Sequence, residues 1–130
     1  MEYAGRGDAA RTMALLWDGD APTPRRGPRQ RLDLAGIVDS AIAEADRSGA
    51  GALSMRALAH ALGIGPASLY TYVPGKAELL ELMVDRVVGG QPLPTADAGW
   101  RAGFADLARA DLAAFRAHPW LLQVATSRTV

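Results

Sequence analysis

The stretch LSMRALAHALGIGPASLYTYVPGKAELL, residues 53–80, reads as two very short helices and the start of a longer one, separated by abrupt joints. Ser54 opens the first, with Leu53 and Leu58 as a hydrophobic staple, and Gly63 closes it after roughly two turns. Leu58, Ala59 and Leu62 supply its buried face. Pro66 stands at the first position of the next helix, where a missing N–H is harmless, and Pro74 forces an end, so this helix is predicted over 66–72. After Gly75, the residues Leu79, Leu80, Met83, Val84, Val87 and Val88 recur at three- and four-residue spacing until Gly89-Gly90, predicting a longer helix. Two short helices joined by a glycine-containing turn, with longer helices on both sides, are the layout of a helix-turn-helix.

Outward from that stretch the helical pattern continues. Upstream, Leu34, Ile37, Val38, Ala41, Ile42 and Ala45 fall on one helical face; Asp33 is placed as N-cap, Leu32 and Ile37 as a staple, and Gly49 as the residue that ends the helix. Downstream, the stiff linker Gln91-Pro92-Leu93-Pro94 leads to a helix marked by Trp100, Phe104, Leu107, Ala108, Leu112 and Phe115. His118-Pro119 interrupts it, and Pro119 starts a last helix, Trp120 to Val124, left unfinished by the chain end. Trp100, Phe104 and Trp120 are expected to pack in the core or between helices; His118 reads as a helix cap. Before Arg31 the chain is rich in Gly, Pro and Arg, and beyond one short helix near Ala9–Trp17 a mobile arm is expected. No segment alternates apolar and polar residues between hairpin turns, so the fold is predicted to be all-α.

Composition narrows the function. The 130 residues carry 14 Lys+Arg against 14 Asp+Glu and no cysteine, which removes disulfides, thiolate nucleophiles and cysteine-based metal sites. His60 and His118 are far apart and no carboxylate spacing completes a site around them, so no metal or cofactor is expected. Neither G-x-S-x-G nor a P-loop occurs, and no residue is assigned a catalytic role. Glu78, Glu81 and Asp85, three and four apart on one helix, read as a solvated face. The longest uncharged stretch, Ala57–Gly75, is too polar and too broken by Pro and Gly to span a membrane, and no secretion signal is visible, so a cytoplasmic protein is expected.

The zero net charge hides local concentrations. Arg25, Arg26, Arg29 and Arg31 gather at the end of the arm without an acid among them. With Leu69 and Val73 turned to the core beside Ile64, the helix over 66–72 leaves Pro66, Ala67, Ser68, Tyr70, Thr71 and Tyr72 outward, an acid-free face of small, hydroxyl and aromatic groups. Such a face enters a major groove without repelling phosphates. Lys76 and Arg56, each in the first turn of its helix, are placed to hold phosphates, and the arginine arm is suited to a narrow minor groove. Tyr70 and Tyr72 also fit half-buried packing with a wet hydroxyl. An all-helical protein-interaction adaptor explains the amphipathic helices equally well, but not the acid-free face between two cations.

The stretch 53–80 resembles the DNA-binding signature of the tetracycline-repressor (TetR) family, most specifically in Leu69-Tyr70, Tyr72-Val73, Lys76 and Leu79-Leu80, and the likeness runs from about Leu32 to Val88. The resemblance implies a three-helix DNA-binding head followed by a larger helical effector and dimerisation domain, in a homodimeric, ligand-responsive regulator that is usually a repressor. It puts Arg56, Ser68, Tyr70, Tyr72 and Lys76 at DNA-contacting positions, with Pro66, Ala67 and Thr71 on the base-facing side. Tyr72 stands where many members have histidine or phenylalanine, and Thr71 where a larger residue is frequent, so base preference does not carry over. The division expected is a flexible Arg-rich arm over 1–31, a helix-turn-helix domain with its connecting helix over 32–90, and the beginning of the effector-binding and dimerisation domain over 91–130. The partners implied are a palindromic double-stranded operator, a second copy joined largely through regions beyond Val130, and an unknown small-molecule effector.

Overall fold

A computed structural model of the chain describes residues 7–17, 32–95, 97 and 99–126. Among these residues seven α-helices run in the order α1 (Ala9–Trp17), α2 (Leu34–Ser48), α3 (Met55–Ala61), α4 (Pro66–Tyr72), α5 (Lys76–Gly89), α6 (Gly99–Ala117) and α7 (Trp120–Ala125). No strand occurs among the described residues.

The ends of these helices follow from local chemistry. The Asp33 side chain accepts the Gly36 N–H at 2.7 Å and starts α2; Ser54 accepts the Ala57 N–H at 3.0 Å and starts α3. After α3 the Ile64 N–H donates to the Ala59 carbonyl and the Gly63 N–H to the His60 carbonyl, the paired bonds of a Schellman motif. That motif needs a left-handed residue, and Gly63 supplies it at φ +70°. The reversal turns α4 back onto α3, and Pro66 then starts α4.

α5 is the hub: it packs against α1, α2, α6 and α7. Ile37 and Ala41 of α2, Leu58 and Ala59 of α3, Leu69 and Val73 around α4, and Leu79, Leu80 and Met83 of α5 are fully buried together. Arg86 clasps Asp39 through two parallel bonds of 3.0 and 3.1 Å, tying α5 to α2 at the surface.

Three features depart from the sequence reading. Within the segment expected to be a mobile arm, the short helix expected near Ala9–Trp17 forms as α1 but is seated on α5, with Asp8 capping it through the Ala10 and Arg11 N–H groups and Thr12 buried to 3% exposure. Trp120, Leu121 and Val124 of α7 belong to the same buried cluster as α2–α5, so packing does not divide at residue 90. Trp100 and Phe104, expected in the core or between helices, are instead exposed at 74% and 67%, because only the linker at Pro94, and no other described helix, stands beside that face of α6.

Candidate nucleic-acid interface

α4 presents one face to the core and the other outward. Leu69 and Val73 are fully buried, and Ile64 is partly buried against the same cluster. Pro66, Ala67, Ser68 and Thr71 are exposed, and Tyr70 is 48% exposed. Tyr72 differs from its neighbours: it is half-buried and packs against the core, so only part of its side chain is free. The Thr71 hydroxyl donates to the Ser68 carbonyl one turn back, which leaves its methyl group and oxygen lone pairs outward. α4 contains no acidic residue.

Two cations flank this face. Arg56 is exposed in the first turn of α3, and Lys76 is the first residue of α5; neither has an ion-pair partner among the described residues. Gly75 precedes Lys76 without a side-chain cap, so the first-turn N–H groups of α5 keep their donors available beside the lysine. His60, on α3, is also exposed. Arg25, Arg26, Arg29 and Arg31, the expected minor-groove contacts, lie outside the described residues.

Glu78 is not part of a solvated face. It is half-buried and its carboxylate accepts the Asp8 N–H from α1 at 3.1 Å. Nor is His118 a simple cap: its Nδ1 lies 2.7 Å from Asp46 Oδ1, which also accepts the Trp120 Nε1–H at 2.8 Å, joining the α6–α7 corner to α2. Spacing offered no signal for either contact, since the partners are 70 to 74 residues apart.

The linker and α6 form an open apolar cleft of ≈ 390 Å³ between Pro94, Trp100, Phe104 and Leu107. Gly103 allows the close approach: a Cβ there would stand 3.2 Å from the Pro94 Cβ, so alanine at this position would require the linker to give by a few tenths of an ångström. No cluster of three or more His, Asp or Glu able to hold a metal occurs among the described residues.

The family described as "Bacterial regulatory proteins, tetR family" matches residues 37–83, the span from α2 into α5. The chain is 50% identical to the HTH-type transcriptional repressor DrrR1 of Streptomyces coeruleorubidus over 99% of its own length and 48% of that protein. Two crystal structures of the Streptomyces coelicolor TetR family protein ActR are similar at 35% identity. The complex with (S)-DNPA superposes with a TM-score of 0.70 over 77% of this chain and 50% of that one. The complex with actinorhodin gives 0.71 over 78% and 48%. The chain thus spans about half the length of these relatives.

Proposed function

Because this chain belongs to the tetR family of bacterial regulatory proteins, we propose that its residues 32–90 are the duplex-DNA-binding head of a transcriptional regulator. The observation that carries the reading is the exposed, acid-free face of α4 standing between Arg56 and Lys76. α4 enters the major groove. Pro66, Ala67, Ser68, Tyr70 and Thr71 face base edges, and the free part of Tyr72 follows them. Arg56 on one side, and Lys76 with the first-turn N–H groups of α5 on the other, hold phosphates and set the register. Arg25, Arg26, Arg29 and Arg31 add contacts along the flanking minor groove.

For the whole protein the reading extends to a cytoplasmic homodimeric repressor on a palindromic operator, with half-sites about one helical turn or a multiple of it apart and the dimer interface largely beyond residue 130. The name of the DrrR1 relative supports repression. The ActR complexes support a small-molecule effector, which this reading assigns to the helical part that begins at residue 91. No helix among the described residues is long and apolar enough to cross a membrane.

Selection from a random duplex library, followed by titration at several salt concentrations, tests this. Binding should weaken steeply with salt, and replacing all four arm arginines with glutamine should flatten the slope of log K against log salt by up to about 3–4. Tyr70→Ala should cost about 1–3 kcal/mol of specific affinity with the melting temperature nearly unchanged. Absence of salt-dependent duplex binding would favour the adaptor instead.

A further inference from the structure

Glu78 occupies the third position of α5, two residues after Lys76. Its Oε1 accepts the Asp8 N–H at 3.1 Å, and a Cβ on Gly7 would fall 2.6 Å from the same oxygen. Its Oε2 faces the other way, 3.1 Å from where a Cβ on Gly75 would stand. One carboxylate is therefore held between the residue that precedes α5 and the N-terminus of α1, in a slot that two glycines keep open. No ion pair joins it to Lys76. The rest of α1 locks the arrangement: Asp8 caps it, Thr12 is buried and Leu15 packs on the core.

We propose that Glu78 is a competitor for the phosphate-holding end of α5 that α1 holds aside, and that α1 sets DNA affinity by keeping this carboxylate engaged. The inference rests on the reading of α5 as a phosphate contact. An acid in the first turn of a helix is drawn to the same N–H groups that a phosphate would use, and a carboxylate set free there competes with the phosphate and repels it. Held by Asp8 and walled by Gly7, the Glu78 carboxylate leaves those groups and Lys76 to the DNA. α1 thus acts on binding without having to touch the duplex.

The test is a four-protein cycle on the full chain: wild type, Gly7→Ala, Glu78→Gln and the double variant, titrated with the duplex selected above at low and high salt. Gly7→Ala places a methyl group where the carboxylate oxygen sits and should weaken binding by roughly three- to tenfold at low salt, less at high salt. Glu78→Gln keeps an acceptor for Asp8 and removes the charge, so it should bind more tightly than wild type. In that background Gly7→Ala should cost less than about twofold. Amide exchange at Asp8 should be slow in wild type and Glu78→Gln and fast in Gly7→Ala. An equal loss from Gly7→Ala in both backgrounds, no loss at all, or weaker binding by Glu78→Gln overturns the proposal. Because Glu78→Gln adds no atom for α1 to accommodate, it reads the charge effect even if Gly7→Ala melts early. Failure of wild type to bind any duplex overturns the DNA-binding reading and this inference together, whereas wild-type binding with a flat cycle overturns this inference alone.

Discussion

Leu69 and Val73 at α4 and Trp100 and Phe104 on α6 are both apolar pairs four residues apart, yet the first pair is fully covered and the second is largely bare. Helical spacing reports that a helix has an apolar face; what lies across from that face is decided by another part of the chain. Around α4 the cover comes from nearby sequence, because the Gly63 turn folds α4 back on α3 and the buried residues of both join those of α2 and α5 in one cluster. At the start of α6 no described helix covers the pair: the two rings meet edge to face at 6.4 Å between centroids, with the Arg101 guanidinium 5.6 Å from the Trp100 ring centre and the linker at Pro94 beside them.

The largest expected effect lies on the covered side. Leu69→Ala removes a fully buried side chain from a closed cluster and should destabilise the chain by about 2–5 kcal/mol, read from the urea midpoint at unchanged m-value. A loss under about 1 kcal/mol would mean that the α4 face is no better covered than α6, and the contrast would collapse.

Next comes the joint between α2 and the α6–α7 corner. Asp46 accepts from both His118 and the Trp120 indole, and Trp120 is otherwise buried. Asp46→Ala strands the indole N–H, so about 1–3 kcal/mol should be lost in denaturant titration. Asp39→Ala breaks an ion pair whose two partners are each about half exposed, and should cost about 0.2–1 kcal/mol, less at high salt. If Asp39 proves the more costly of the two, the corner is not held as the geometry indicates.

What was legible in the sequence follows the same division. The bounds of α2 to α5 were readable because their signals act within one turn: Asp33 and Ser54 as caps, Gly63 in its turn, Pro66 at a helix start. The outward face of α4 was readable once Leu69 and Val73 were assigned inward. Glu78 was misread, since three- and four-residue spacing with Glu81 and Asp85 looks the same whether or not a distant Gly7 and Asp8 arrive to engage it. Trp100 and Trp120 show the limit best. Both are tryptophans near the start of a helix, and one is exposed while the other is buried, because only the second joins the buried cluster and meets Asp46.

The smallest expected effect is the one that tests the bare side of the comparison. Phe104 touches Trp100 and the cleft beside Pro94 but is two-thirds exposed, so Phe104→Ser removes little that folding had covered. The chain should keep its stability within about 0.5 kcal/mol, as surface substitutions do. Trp17 and Trp100 are exposed and Trp120 is buried, so acrylamide should quench two emission components readily and one poorly. Phe104→Ser should leave that pattern intact while lowering the binding of an apolar dye, since it interrupts a contiguous exposed patch. A loss of several kcal/mol that grows with protein concentration would reverse the interpretation: the α6 face would then be covered in solution by a second copy of the chain, and the contrast with α4 would lie in where the cover comes from rather than whether it exists.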